Sequence, residues 1–323
     1  MLHRRARGAF LICLTAMLFS AGRPANAVES GAGFYLLGSK GSMAGFTPPP
    51  GIYLQDVKYY YSGSLGLNLL NGVLLTDVKA KAYIEAPTLL WIAPHKVLGG
   101  NVGIGAIVPV GWKDVRASAE LNLPPPLGIT LNANVQSDDT AFGDPVVTAL
   151  IGWHSGNWHW NLSTLLNVPV GFWRLRNPSN IGFNRWAVDV GAGLTWLDQK
   201  RGLEISGAAG VTFNFENPDT NYKSGTESHF EFAIVQSLSK EFAVGVTGYY
   251  YEQLTGDSGT GARLGDFKGR VTGIGPIVNY NFEVRRVPIS TNLRWIREFD
   301  AVNRAEGNVG LLTITLPLSA LSH

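Results

Sequence analysis

The side chains in this 323-residue chain that could do chemistry are few and scattered. His154 and His159 flank the dipeptide Gly156-Asn157 and would face each other across a two-residue turn, which is a start toward a metal site. Metal centres need three or four ligands, and the sequence sets no third Cys, His, Asp or Glu beside the pair, so rim histidines are the better reading. Ser228, His229 and Glu231 invite a hydrolase, but neighbouring residues of a strand point to opposite faces, so Ser228 and His229 cannot act directly as nucleophile and base. The run G-D-S-G-T-G-A-R-L-G (256–265) looks like a phosphate cradle; no helix follows it, and an outer loop using glycine for positive φ explains it better. Asp257 with Asp266, or Asp138 with Asp139, are acids that could hold Ca²⁺, without the spacing of a known calcium loop. No catalytic residue, metal or cofactor is therefore assigned, and the chain is read as a non-enzyme.

The elements that carry these residues announce themselves by period. In 202–215, Leu203, Ile205, Val211, Phe213 and Phe215 share one parity while Glu204, Ser206, Thr212 and Asn214 share the other. In a strand, that is one apolar and one polar face. The pattern recurs in about twelve segments: 52–62, 74–92, 98–116, 143–155, 157–170, 184–198, 202–215, 227–239, 241–254, 268–283, 286–298 and 306–318. Tight connections near 93–97, 155–157, 199–201, 239–241 and 284–286 alternate with long polar ones near 63–73, 117–142, 171–183, 216–226 and 255–267. Short periplasmic turns alternating with longer outer loops, on an even strand number, are expected of a closed antiparallel transmembrane β-barrel.

Parity then divides the surface. Val102, Ile104, Val108, Val110 and Trp112 should face lipid, as should Trp186, Val188, Val190, Leu194 and Trp196, and Phe242, Val244, Val246 and Tyr250. The opposite faces nominate Lys79, Lys81, Glu85, Asp189, Glu204, His229, Glu231, Tyr249, Tyr251, Asn292, Arg294 and Glu298 for the lumen, most of the charges as cross-pore pairs. If Gly156-Asn157 is a two-residue turn, Ser155 pairs with Trp158, His154 with His159 and Trp153 with Trp160. Trp153, Trp158 and Trp160 then share one face and, with Trp112, Trp186 and Trp196, form a membrane-interface girdle. The tyrosines of 59–61 and 249–251 are split by parity between a solute route and that girdle.

The N-terminus supplies the compartment. Arg4, Arg5 and Arg7, an apolar run over 9–19 and the small residues Ala25-Asn26-Ala27 make a secretory signal over 1–27, with a mature chain from Val28. Cys13, the one cysteine, falls inside it, so the mature chain has no thiol chemistry. Charged residues are 15% of the chain and no apolar run reaches the length of a membrane helix, which leaves a sheet with one greasy face. A net charge of +2 gives no basic field for nucleic acid. Residues 28–50 end in Pro48-Pro49-Pro50 and cannot add a central strand. Phe34, Tyr35, Leu36, Leu37 and Phe46 are too apolar for an ordinary linker, which favours a plug inserted in the barrel over a disordered leader. Residues 51–323 are then the barrel.

Several stretches are recognisable: P-P-P-G-I-Y-L-Q-D-V-K-Y-Y-Y-S-G (48–63), F-G-D-P (142–145), L-I-G-W-H-S-G-N-W-H-W (150–160), N-P-D-T-N-Y-K-S-G-T-E-S-H-F (217–230), 248–265, G-I-G-P-I-V-N-Y (273–280) and W-I-R-E-F-D-A-V-N-R (295–304). Through them the chain resembles the "MetA-pathway of phenol degradation" family of outer-membrane transporters, over nearly the whole mature length. The resemblance implies a bacterial outer-membrane channel for passive uptake of small hydrophobic or aromatic compounds. Its partners would be outer-membrane lipids, those solutes and, during assembly, the outer-membrane insertion machinery. One departure is the C-terminus, where the last alternating strand is followed by Ser-Ala-Leu-Ser-His instead of ending on an aromatic residue. A closed structural or binding barrel without transport is the alternative, and a barrel-embedded lipid hydrolase a lesser one.

Overall fold

A computed structural model describes residues 29, 33–70, 73–122, 130–262 and 268–318, and the side chains of 66–77, 118–133 and 135 lie outside that description. The export signal, its cleavage site, Asp266 and the last five residues lie outside the described residues. Fourteen hydrogen-bonded segments form one antiparallel sheet: β1 (Gly51–Leu70), β2 (Val73–Val97), β3 (Gly100–Ile107), β4 (Val110–Asn122), β5 (Thr130–Phe142), β6 (Val146–Ser155), β7 (Trp158–Asn167), β8 (Ala187–Asp198), β9 (Leu203–Asn214), β10 (Glu227–Ser237), β11 (Phe242–Gln253), β12 (Arg270–Val284), β13 (Val287–Val302) and β14 (Glu306–Pro317). β1 pairs with β14 on one side and β2 on the other, so the sheet closes into a cylinder, while β5 extends it on one side only, paired with β4. β3 with β4, and β5 with β6, are two interrupted strands, which gives a closed barrel of twelve.

The interruptions follow a line of prolines. β2 pairs with β4 as far as Glu85 and with β3 from Thr88, changing partner at Pro87. Pro109 and Pro145 occupy the breaks in the next two strands. Proline has no N–H to give a ladder, but its carbonyl still accepts: Pro87, Pro109 and Pro145 take bonds from the amides of Val108, Gly143 and Val168.

The period-two reading is borne out strand by strand. Along β9, Glu204, Ser206, Thr212 and Asn214 are buried inside while Ile205 and Phe213 are exposed outside. The three apolar sets read from β3–β4, β8 and β11 all face outward. Trp186 and Trp196 bracket the outer face of β8, separated by about 33 Å of strand at 3.3 Å per residue. With the usual tilt, that matches an apolar band about 25 Å tall. The β6–β7 hairpin has the expected register, with Ser155 opposite Trp158, His154 opposite His159 and Trp153 opposite Trp160. Gly156 there takes φ +58°, which the first position of a tight hairpin turn requires.

The tight connection expected near 93–97 lies instead at 98–99, past the end of β2, and two larger expectations fail on the same side of the barrel. β1, β2, β4 and β5 run on through much of 63–73 and 117–142, which their Gly, Ser and Asn content had marked as loops. An antiparallel pair outside the hydrocarbon can be polar on both faces, so composition stops reporting where it ends. Lys79, Lys81 and Glu85 also point outward: Ala80, Ala82, Ile84 and Ala86 hold the inward parity of β2. Tyr60, Tyr83 and Trp112 lie side by side on that outer face. Lys79 and Lys81 lie on the extracellular side of this aromatic row. Glu85, one pleat on the periplasmic side of it, accepts from the Tyr83 hydroxyl at 2.7 Å and pairs with Lys58 at 2.6 Å. The rule "charge means lumen" fails beyond the aromatic row, where outside is water, and at Glu85, whose outer-face partners satisfy it.

Val190→Arg, midway between Trp186 and Trp196, is expected to destabilise the barrel by about 2–4 kcal/mol, and Lys81→Ala by under about 1 kcal/mol. Urea titration of the barrel folded into vesicles checks the difference.

Candidate functional site

Inside the wall runs the chain that precedes β1. It has no regular secondary structure over 33–50, so its backbone groups need partners from the wall. Gly38 takes φ +83°, and its peptide is held from both sides: its N–H donates to Glu231 Oε1 at 3.0 Å and its carbonyl accepts from Arg294 Nη1. Four residues on, Glu204 accepts from Ser42 Oγ at 2.9 Å and the Met43 amide at 2.6 Å. The Gly45 amide donates to Thr195 Oγ1 at 2.9 Å, and Asn161 Nδ2 donates to the Ala44 carbonyl at 2.8 Å. At the other end, Glu29 takes bonds from Asn217 Nδ2 and Thr220 Oγ1, with Arg185 Nη1 3.8 Å away.

Apolar contacts supplement these bonds. Tyr35 and Leu37 are buried in a cluster with Val57, Ala86, Tyr249, Tyr251, Ile296 and Leu311. The Tyr35 ring stacks on His229 with centroids 3.5 Å apart. His229 Nε2 lies 2.8 Å from Asp189 Oδ2, which also accepts from Thr212 Oγ1 at 2.6 Å. Glu298 accepts from the hydroxyls of Tyr249 and Tyr61 and from the Gly307 amide. At the periplasmic end, Phe46 packs on both His154 and His159, whose Nδ1 atoms are 2.6 Å apart.

The structure thus brings Asp189, Glu204, His229, Glu231, Tyr249, Tyr251 and Arg294 together on the inner wall, and Phe34, Tyr35, Leu36, Leu37 and Phe46 against it. Lys79, Lys81 and Glu85 take no part. The six girdle tryptophans, Trp112, Trp153, Trp158, Trp160, Trp186 and Trp196, are all turned outward. Ser228 donates to the Glu252 carbonyl on the outer face, across the wall from His229. Asp139 faces inward, paired with Arg174, while Asp138 faces outward, so the two cannot converge on one ion. Asp257 is engaged by Tyr222, the Gly225 amide and Gln253. Among the described residues, no three His, Cys, Asp or Glu side chains come together as a metal site.

What the segment leaves open is a cavity of about 520 Å³ between residues 33–46 and the wall from β1 to β7. Its lining is mostly apolar, with Val57, Ala82, Ile84, Leu90, Ile107 and Val115 from the wall and Leu36, Met43 and Phe46 from the segment. Ile181 and Phe183 complete it from the chain between β7 and β8. That chain is folded by Asp144, which sits in the β5–β6 break and accepts from the amides of Gly171 and Phe183 at 2.8 and 2.7 Å and from Asn167 Nδ2. Asp144 and the cavity lysine Lys113 were not picked out among the sequence candidates. The F-G-D-P run, an acid before proline between two apolar strands, was the available signal for the first.

The family model "MetA-pathway of phenol degradation" matches residues 63–314. Among solved structures, the COG4313 outer membrane channel from Pseudomonas putida superposes with a TM-score of 0.65 at 14% identity, over 87% of this chain and 99% of that one. The NanC porin superposes with a TM-score of 0.40 at 10% identity, over 82% and 100%. The β-domain of the Bordetella autotransporter BrkA gives 0.45 at 7% identity, over 84% and 100%. No curated protein sequence matches this chain. The barrel is of the bacterial outer-membrane type, as the sequence led one to expect.

Glu204→Ala removes the acceptor of three hydrogen bonds, two of them from the segment. Bonds to a charged group are worth about 1.5–3 kcal/mol each, enough to release the stretch around Lys40. Trypsin should then cut at Lys40 in the folded variant and spare it in the parent, as read by mass spectrometry of the N-terminal fragments.

Proposed function

Because the chain belongs to the "MetA-pathway of phenol degradation" family, we propose that it is an outer-membrane channel through which small apolar and aromatic solutes diffuse, with residues 33–46 as an internal plug. One observation carries this reading: an apolar cavity of about 520 Å³ lies inside the barrel, between its wall and the N-terminal segment. A space of that size lies within the range of about 300–1,000 Å³ typical of small-molecule sites. A sugar, polar on every side, would lose most of its hydration there, whereas a single aromatic ring or short alkyl body gives up little. The segment leaves too little room for a wide aqueous pore, so selection by size and polarity replaces a general sieve.

The internal charges act mainly on the segment. Glu204, Glu231 and Arg294 bind its backbone, and the Asp189–His229 pair backs Tyr35. Their role in this reading is to hold the plug in one place and leave the β1–β7 side free. A closed binding barrel shares all of this geometry but carries no flux.

In proteoliposomes, the intact protein is expected to pass phenol and toluene faster than a sugar of similar size, a difference that solvent-loaded flux assays resolve. Deleting residues 33–46 should raise single-channel conductance in planar bilayers and erase the discrimination. Impermeability to phenol and toluene above protein-free vesicles would rule out the channel, and an unchanged conductance in the deletion would rule out the plug.

A further inference from the structure

Lys113 projects from β4 into the cavity, beside inward-facing Ala82 on β2 and Val115 two residues along its own strand. No hydrogen bond or ion pair to its ammonium is present among the described residues. Its cross-strand neighbour on β5, Asp139, is already engaged by Arg174 and by Asn177 Nδ2 at 3.0 Å. The other cations that line the cavity differ. Lys40 donates to Ser163 Oγ at 2.7 Å and lies in the field of Asp189 and Glu231. Arg304 packs over the Tyr251 ring at 4.2 Å and lies in the field of Glu298 and Glu227. Among the described lining cations, Lys113 is the one whose charge has no hydrogen bond, ion pair or aromatic ring against it, since the opposite Asp139 is held by Arg174.

An ammonium turned toward a largely apolar cavity without a counter-charge is costly, and protein interiors keep one only where something compensates it. The side chain opens into a space walled by Ile84, Leu90, Ile107 and Val115, which suits an apolar body attached to one anionic oxygen group. We propose that the cavity is a binding site for small amphipathic carboxylates, an aromatic or short-chain acid whose carboxylate accepts from Lys113 Nζ while its hydrocarbon part fills the apolar wall. This rests on the reading of the cavity as the solute route and narrows its cargo from neutral hydrocarbons to their oxidised, anionic relatives. The ligand's charge replaces the missing acid, so a charge-assisted hydrogen bond forms where no water-rich alternative competes. No covalent step is involved.

The test uses the purified full barrel in detergent, titrated calorimetrically with benzoate and with benzyl alcohol, a neutral molecule of similar size. Benzoate is expected to bind about tenfold tighter than the alcohol, the effect of one such contact. Lys113→Met should remove that preference and leave the alcohol's affinity unchanged, and Lys113→Arg should restore it. Equal binding of the two probes by the parent overturns the proposal without recourse to any variant, and so does a benzoate preference that persists in Lys113→Met. Folding of each variant is read from its heat-modifiable migration. Flux of both probes into proteoliposomes is recorded in parallel. Lys113-dependent binding without flux leaves the carboxylate site standing and removes the channel, whereas flux without a Lys113-dependent preference does the reverse.

Discussion

Hydrocarbon offers no partner to a backbone N–H or C=O, and closure of the sheet is the answer to that constraint. The β1–β14 ladder, from Tyr53 opposite Pro317 to Ser64 opposite Glu306, joins the two ends of the chain into the cylinder. Once it is made, every residue has one of two addresses, and period-two alternation is the only way a strand can serve both lipid and lumen. Proline is tolerated where the ladder already lapses. Pro276 of β12 pairs toward Val246 on β11, and on its other side the pairing with β13 skips from Arg297 to Arg294.

The same constraint acts again, one layer in. A segment without its own ladder can occupy the interior only if side chains of the wall take over the role of neighbouring strands. β7 to β10 and β13 supply those side chains as Asn161, Ser163, Thr195, Glu204, Glu231 and Arg294. The inner faces of β1, β2 and β4 are mainly apolar, carrying Val57, Ala80, Ala82, Ile84, Ala86 and Val115 beside a few polar groups such as Gln55, Thr88 and Lys113. The segment is thereby held to one side of the interior, and the cavity lies between it and the other side. The cavity is the consequence of where the hydrogen-bonding side chains were spent.

Most of the architecture was legible because lipid enforces it. The parity of Val188, Val190 and Leu194, the turn at Gly156 and the tryptophan girdle each follow from local chemistry that nothing distant overrides. Legibility failed where that enforcement ends. Lys79 and Lys81 lie where outside is water, so their charge no longer told inside from outside, and the strands around 63–73 could be polar without being loops. Glu85 was misplaced for a different reason, since Lys58 and Tyr83 satisfy it on the outer face and no strand-local pattern reveals such a partner. Inward Glu204 and Glu231 were found by parity, but that they would bind the backbone of residues 38–43 depends on contacts across more than 160 positions. Lys113 stood in a window whose neighbours are polar and charged, so nothing local marked it as the ammonium facing apolar wall.

The segment's fit has a further consequence for how it would share the barrel with a solute. At its periplasmic end it lies backbone against backbone: a Cβ on Gly45 would come within 2.3 Å of the His159 carbonyl oxygen, and one on Gly193 within 2.2 Å of the Ala44 oxygen. Glycine on both partners permits that approach, and neither side can be moved without losing the bonds to Thr195 and Asn161. Toward the cavity, by contrast, Leu36, Met43 and Phe46 present side chains. Side chains change rotamer in nanoseconds, whereas withdrawing the anchored stretch breaks several charge-assisted bonds together. In the proposed channel a solute would therefore find the cheaper passage along the β1–β7 side, past movable apolar groups, with the backbone of the segment left in place.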